Sequence, residues 1–478
     1  MNVLVTEVRA VPVAGKWIKG DEGQVVSSPY DGSEVGRVPV LGEAEVERAV
    51  AAAKASLAEP FPAWERAAVL DRAARVLGER QAEFARTIAV EAAKPIKTAT
   101  SEAARAVSTF LFAATEARKL AGEMVPVEAS DVGVGKVAFT IRVPIGVVGA
   151  ITPFNFPLNL VAHKVAPAIA AGCPVVLKPA GQTPLSAIAL AEVLINDCGL
   201  PAERLSVVTG PGRSVGNALV EHPDVALLTF TGSPEVGWSI RQRAPRKKVD
   251  LELGNNSPLI VHADGDWQAA AEKVKVAGFS HAGQSCISTQ RLFVHADVLD
   301  SFVDALVSRV RALVIGDPLD PATDVSSLIS AEDTERVKAW VDDAVAEGAI
   351  LACGGTVADG LLQPTVLTDV TPDMKVSSQE VFGPVVGVQS YTDFDEALAL
   401  ANDTRYGLQA GVYTADLGRA LQAANTLDFG GVLVNEVPTW RADQMPYGGV
   451  RDSGNTREGP AYAVREMTES RLVVLGTA

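Results

Sequence analysis

The chain has 478 residues, 47% of them hydrophobic, enough for two or three domains with full cores. Asp and Glu number 58 against 42 Lys and Arg, a net charge of -16 that repels phosphate backbones and anionic lipid, so neither nucleic acid nor a membrane surface is an expected partner. Every long apolar run is broken by Pro, Lys or His, and the stretch from Met1 to Gly20 lacks the basic start and apolar core of an export signal, so neither a membrane span nor secretion is expected.

From Ala44 to Glu123 apolar residues recur at helical spacing, as in Val46, Ala49 and Val50 and again in Leu70, Ala73, Ala74 and Leu77; this predicts an N-terminal helical layer. Between Gly122 and Arg142 two short extended runs, Met124 to Val127 and Val137 to Ile141, predict a protruding hairpin that needs a partner surface. Strand-like runs then alternate with helical stretches: Gly146 to Ile151, Val175 to Lys178, Leu205 to Thr209, Ala226 to Thr231 and Val249 to Leu253. Apolar β-branched runs of this kind are buried on both faces and predict a parallel, doubly wound sheet. A second α/β series runs from Ser257 to Asn435 with no low-complexity linker between the halves, which places an active site in a cleft between packed domains. The tail from Arg471 to Leu475 is strand-like and suited to pair with the hairpin, in its own chain or a neighbour's.

The four cysteines, Cys173, Cys198, Cys286 and Cys353, have neither CxxC spacing nor the density of a disulfide scaffold, which points to a reducing cytoplasm and away from a metal site. Cys173 and Cys198 lie in apolar or amphipathic stretches and read as structural. Cys286 sits instead among small and polar neighbours, in Gly283-Gln284-Ser285-Cys286-Ile287-Ser288-Thr289-Gln290-Arg291, where a thiolate nucleophile is the functional reading and a small core hydrophobe the bland one.

Glu252, in Leu251-Glu252-Leu253-Gly254, is a single carboxylate at an apolar strand end; desolvation there raises its pKa into the range of a general base, unless it is salt-bridged or exposed at the rim. Asn155, in Thr152-Pro153-Phe154-Asn155-Phe156-Pro157, follows a buried strand at its carboxyl end, where its amide is placed to donate to an oxyanion or to make a turn. The segment from Phe230 to Gly237 joins a strand to a helix: Gly232 admits a ligand close to the backbone, Ser233 is positioned to cap the helix and Pro234 suits its first turn, so free N–H groups can receive a pyrophosphate. It lacks the GxGxxG of the common dinucleotide fingerprint. Lys178 ends another buried strand and is placed either to reach ribose hydroxyls or to lie exposed.

In this order the segments resemble the aldehyde dehydrogenase superfamily across nearly the whole chain: TPFNFP at 152–157, KPA at 178–180, FTGSPEVG at 230–237, LELG at 251–254, GQSC at 283–286, EVFGP at 380–384, and PYGG at 446–449 with Ser453-Gly454. The resemblance implies an α/β fold with a Rossmann-type cofactor domain (1–121 and 143–253), an α/β catalytic domain (254–435) and a small β oligomerisation segment (122–142 and 459–478). The loop 436–458 would return to the cofactor domain and line the substrate entrance. It further implies that Cys286 is the nucleophile, that Asn155 and the Cys286 N–H hold the oxyanion, and that Glu252 activates the water that hydrolyses a thioester to a free acid. NAD or NADP would be held by Lys178, Gly212, Phe230, Gly232, Ser233, Val236, Leu253, Glu380 and Phe382, and the protein would be a homodimer or homotetramer.

Three positions depart from the family pattern. Asn255 and Asn256 follow Gly254 where the family often has Gly-Lys, Phe154 stands where many members have Trp, and Gly181 stands where many NAD-preferring members have a Glu that repels a 2′-phosphate, so NADP is permitted. The stretch from Asn435 to Tyr447 is similar to the branch acting on lactaldehyde, glycolaldehyde, phosphonoacetaldehyde and sulfoacetaldehyde. It implies a small polar aldehyde, either a hydroxyaldehyde or a semialdehyde, bounded by Phe156, Ser285, Trp440 and Arg441, with Arg441 as the anchor or as one half of an internal salt bridge. Ser285 and Phe156 occupy places where phosphonate-handling members tend to be basic, which lowers that reading. The competing classes are a thiol hydrolase using Cys286 with His281, and a non-catalytic binding protein.

Overall fold

A strand whose residues are all apolar needs a helical layer on each face, and the chain builds that arrangement twice. The computed structural model describes residues 7–20 and 23–476. Residues 1–6 of the expected leaderless start, and 477 and 478 of the expected oligomerisation segment, lie outside the described residues.

The first sheet has five parallel strands in the spatial order Lys248–Glu252, Val225–Thr231, Val147–Ile151, Val175–Lys178, Leu205–Val207. Each matches a strand expected from the sequence to within two residues. The chain starts at Val147–Ile151, steps out to Leu205–Val207, then crosses back to the other side. That reversal opens a crevice at the carboxyl ends of Val147–Ile151 and Val225–Thr231, the place where open α/β sheets bind ligands. Asn155 and Ser233 follow these two strand ends.

The expected helical layer consists of Glu43–Ser56, Ala63–Glu79, Gln81–Ala92 and Ile96–Lys119, each burying an alanine-rich face. The helix Asn159–Ala171 is buried at every position; it is mostly apolar, and its three polar residues, Asn159, His163 and Lys164, find hydrogen-bond partners inside the protein. Four short strands before these helices, Val11–Val13 with Lys16–Ile18 and Gly23–Ser27 with Glu34–Pro39, form two antiparallel pairs. They were not expected, because runs this short carry no clear period.

The second sheet has seven strands in the order Ile350–Cys353, Thr365–Thr368, Val385–Tyr391, Arg291–His295, Pro258–Val261, Gln409–Tyr413, Gly431–Val434, all parallel except the first. The hairpin appears as Met124–Val125 paired with Lys136–Pro144, its arms separated by two short 3-10 turns. The tail strand Thr468–Gly476 pairs with Lys136–Pro144 over nine residues of the same chain, which decides the choice the sequence left open. No helix among the described residues is long and apolar enough to cross a membrane.

Candidate active site

Cys286 lies in a loop leading into the strand Arg291–His295 of the second sheet. Just before it the backbone turns through three successive left-handed residues, His281, Ala282 and Gly283, with φ of 49°, 53° and 72°. At Gly283 this conformation coincides with a close approach: a Cβ there would fall 2.1 Å from the carbonyl oxygen of Gly383. Only glycine fits, and the contact locks the cysteine loop to the loop carrying Glu380 and Phe382. Gln290 ties the same two loops together, donating to the carbonyls of Val376 and Gln379 and accepting from the N–H of Val381.

The Cys286 sulfur is 2.9 Å from the Tyr447 hydroxyl. Burial pushes the thiol up to about 12, although the Tyr447 hydrogen bond works to lower it. Cys173 and Cys198 are buried as expected; Cys173 donates to the carbonyl of Met467, and desolvation raises both thiols to about 11.

Asn155 reaches across from the first sheet, its amide nitrogen donating to the Gln284 carbonyl at 3.0 Å. The second hydrogen of that amide is left for a ligand. The backbone N–H of Cys286 likewise has no acceptor among the described residues. Position is enforced from behind: the buried Lys94 ammonium donates to the Asn155 carbonyl at 2.5 Å, pairs with Glu102 and sits 3.7 Å over the Phe156 ring. Glu102 in turn accepts from the N–H groups of Leu158 and Asn159. A buried ion pair therefore pins the segment that carries the amide, and no sequence spacing signals it.

Glu252 is the last residue of its strand and is 4% exposed, with neither carboxylate oxygen hydrogen-bonded. Burial, and then the negative charge of Glu458, push its pKa well above the ordinary carboxylate range against Arg441 and Lys164. For Glu458 itself burial opposes ionisation, but Lys164 and Arg441 outweigh it and hold the group down at about 2. Two neighbouring carboxyls are thus separated by environment, one kept as an ion and the other poised to take a proton.

Cys286 and Asn155 share a cavity of about 510 Å³ that extends between the sheets to Thr231, Ser233, Gly254 and Glu380. A model of the aldehyde dehydrogenase family matches residues 17–473. The chain belongs to the aldehyde dehydrogenase family. It is 47% identical over 463 residues to a 3-sulfolactaldehyde dehydrogenase of Priestia megaterium, covering 97% of each chain. It is also 38% identical over 471 residues to a lactaldehyde dehydrogenase of Methanococcus aeolicus, covering 97% of this chain and 99% of that one. Among solved structures, aldehyde dehydrogenase 21 of Physcomitrella patens, in complex with the reaction product succinate, superposes with a TM-score of 0.95 at 38% identity, covering 99% of both chains. A glyceraldehyde-3-phosphate dehydrogenase of Methanocaldococcus jannaschii complexed with NADP gives 0.91 at 37%, covering 95% of this chain and all of that one. The enzyme works with a nicotinamide cofactor, NAD or NADP.

The cavity of this aldehyde dehydrogenase fits such a cofactor on several counts. The Thr231 hydroxyl is buried without a partner, and a Cβ on Gly254 would fall 2.3 Å from the Glu380 carboxylate, so the glycine keeps the cradle open. Glu380 accepts from the Asn255 N–H, and burial raises it to about 7. Phe382, at φ 50°, meets Phe154 edge to face with ring centroids 5.8 Å apart. Ser233 stands at the N-cap of the helix Pro234–Arg243, but its side chain makes no capping bond. That corrects the expected cap and leaves the hydroxyl for a ligand.

Gly232, Ser233, Leu253, Glu380 and Phe382 line the cavity, whereas Lys178, Gly212, Phe230 and Val236 do not. Phe230 is buried beneath Gly232, Val236 is half exposed, and the Lys178 side chain runs past Gly216 and donates to the Pro179 carbonyl. Asn255 and Asn256 replace the usual Gly-Lys as anchors: Asn255 donates to Ser257, and Asn256 donates to the Ser377 carbonyl and accepts from Thr404.

Arg441 is engaged inside the chain, although its Nε makes no hydrogen bond. Its guanidinium pairs with Glu458 at 2.9 Å, contacts the His163 ring at 3.2 Å and stacks on the Tyr447 ring at 3.7 Å. The internal salt bridge, the second of the two readings, is the one the structure shows. Trp440 is 52% exposed and does not line the cavity, and neither do Phe156 and Ser285. His281 has no hydrogen bond on either ring nitrogen and none to Cys286, so the hydrolase reading has no thiol–imidazole pair behind it. Sequence reasoning missed Tyr447, Glu458, Lys164 and Gln290, of which Tyr447, Glu458 and Gln290 lie in segments already singled out.

Proposed function

We propose that this enzyme oxidises a short 2-hydroxyaldehyde to the hydroxy acid through a thioester on Cys286. The observation that carries the chemistry is the convergence of the Cys286 sulfur and a spare Asn155 N–H on one cavity, with the unpaired Glu252 carboxyl close enough for its charge to act on the thiol. The substrate reading is supported by the likeness to 3-sulfolactaldehyde and lactaldehyde dehydrogenases, both named for aldehydes with a hydroxyl beside the carbonyl carbon. A semialdehyde is the second reading, favoured by the likeness to aldehyde dehydrogenase 21, solved with succinate.

In the mechanism the Cys286 thiolate adds to the aldehyde carbon. The carbonyl oxygen, now an alkoxide, accepts from the Asn155 amide and the Cys286 N–H, donors fixed before the charge develops. NAD or NADP, when bound, supplies the hydride acceptor that oxidises this adduct to the thioester. Thr231, Ser233 and Glu380 would hold it, with Phe382 packing against it. Glu252 then takes a proton from water as the water oxygen bonds to the thioester carbon; the carbon–sulfur bond breaks and the acid leaves. With its pKa raised by burial, Glu252 binds that proton more tightly than an ordinary carboxylate does.

We assign residues 1–121 and 143–253 to the cofactor domain, 254–435 to the catalytic domain, and 122–142 with 459–478 to subunit contacts in a homodimer or homotetramer. Exposed Leu472, Val474 and Leu475 on the tail strand support the last assignment. Four free cysteines support a reducing cytoplasm. At Gly181 no carboxylate opposes a 2′-phosphate, and Gln24 donates to its carbonyl, so NADP is accepted. The test is a kinetic matrix with purified protein: lactaldehyde, 3-sulfolactaldehyde, glycolaldehyde, succinic semialdehyde and propanal, each with NAD and with NADP. The 2-hydroxyaldehydes are expected to show the highest kcat/KM; equal efficiency on propanal would refute the substrate reading.

A further inference from the structure

The phenol of Tyr447 is 2% exposed, and its oxygen has one polar neighbour, the nucleophilic sulfur. Its surroundings are built around it. Tyr447 and Glu458 exchange backbone hydrogen bonds, the Tyr447 N–H donating at 3.2 Å and the Glu458 N–H at 2.6 Å. The Glu458 carboxylate holds Arg441, and Arg441 lies on the face of the Tyr447 ring. One short bridge therefore fixes the phenol against the sulfur and a cation against the phenol.

We propose that Tyr447 is a further catalytic residue: its phenolic O–H, held against Sγ of Cys286, donates the hydrogen bond that stabilises the attacking thiolate.

In the neutral pair either atom can donate, and the bond is weak. Once the sulfur is an anion only the phenol can donate, and the bond becomes charge-assisted and roughly twice as strong. The contact therefore favours thiolate over thiol. The stacked guanidinium draws electron density from the ring and makes the hydroxyl a better donor. Burial raises the phenol's own pKa well above its ordinary value, so the phenol keeps its proton while the thiol loses one. Asn155 does not compete for this role, because one of its N–H groups is on Gln284 and the other is left for the substrate oxygen. Of the groups that shift the thiol, Tyr447 is the one bonded to it directly.

The inference rests on Cys286 as nucleophile and not on which aldehyde is consumed, so it is tested without aldehyde or cofactor. The rate of Cys286 alkylation by iodoacetamide is measured against pH in the full-length enzyme and in Tyr447→Phe. Loss of a hydrogen bond to a charged group is expected to lower the rate at neutral pH by about ten- to hundredfold and move its midpoint to higher pH. Fluorotyrosine placed at position 447, a more acidic phenol, is expected to move the midpoint the opposite way. This second variant keeps the ring and the hydroxyl, so it reads the bond even if Tyr447→Phe folds poorly. An unmoved midpoint in both variants, or faster alkylation in Tyr447→Phe, would overturn the proposal. A flat aldehyde matrix would sink the substrate reading and leave this one standing.

Discussion

The two sides of Cys286 use their polar groups in opposite ways. Towards the cofactor the cavity wall holds groups in reserve: the Thr231 hydroxyl has no partner, Ser233 makes no cap, and Glu380 accepts a single N–H. Towards the loop 436–458 most charged groups are already engaged. Asp443 binds Arg105, His163 and Asn159, while Glu458 binds Arg441 and Lys164. Ligand binding and electrostatics are thus carried by different walls of the site. A wall with spare donors and acceptors is complementary to a ligand, whereas a saturated network shapes the field around the reacting atoms. Glu252, itself unpaired, is the group on which the charges of Glu458, Arg441 and Lys164 act.

Substitutions can break this contrast in order of effect. Cys286→Ala should abolish oxidation while cofactor affinity, read by quenching of protein fluorescence, stays at the wild-type value; residual oxidation would remove Cys286 as nucleophile. Glu252→Gln should slow steady turnover by about 10² to 10⁴-fold and yet leave a rapid burst of reduced cofactor, because acylation precedes the step that needs the base. A proportional loss with no burst would place Glu252 earlier. Asn155→Ala removes one oxyanion donor and should cost about 10² to 10³ in kcat with little change in cofactor KM. The smallest effect tests the cofactor wall. Glu380, raised to about 7 by burial, accepts best as the carboxylate, so cofactor KM should rise as pH falls through that value and stay flat in Glu380→Gln. Equal slopes in both proteins would exclude Glu380 from cofactor binding.

Much of the architecture was legible because burial on both faces leaves its mark in the chain. Val175–Lys178 was expected to the residue, since an apolar β-branched run bounded by Pro174 and Pro179 has few alternatives. The first four strands were not: Val11–Val13 is buried but only three residues long, and the other three mix buried or half-buried with exposed positions without a clear period. At the site, Cys286, Glu252 and Asn155 were each ambiguous alone and became specific through the order of their segments. Arg441 shows the limit of that approach. Its segment implied a pocket residue, but the choice between substrate anchor and internal ion pair turned on Glu458, seventeen residues later.

The two α/β halves could be read from apolar period alone, and the order of the segments singled out Cys286, Glu252 and Asn155 as candidates, because both are written along the chain. The neighbours of the site came from the fold: Lys94 and Glu102 behind Asn155, Gln290 behind the Glu380 loop, and Arg441 on the face of Tyr447. Hydrogen bonds and ion pairs act over a few ångströms of space whatever the separation along the chain, so partners as far apart as Cys286 and Tyr447 leave no spacing to read.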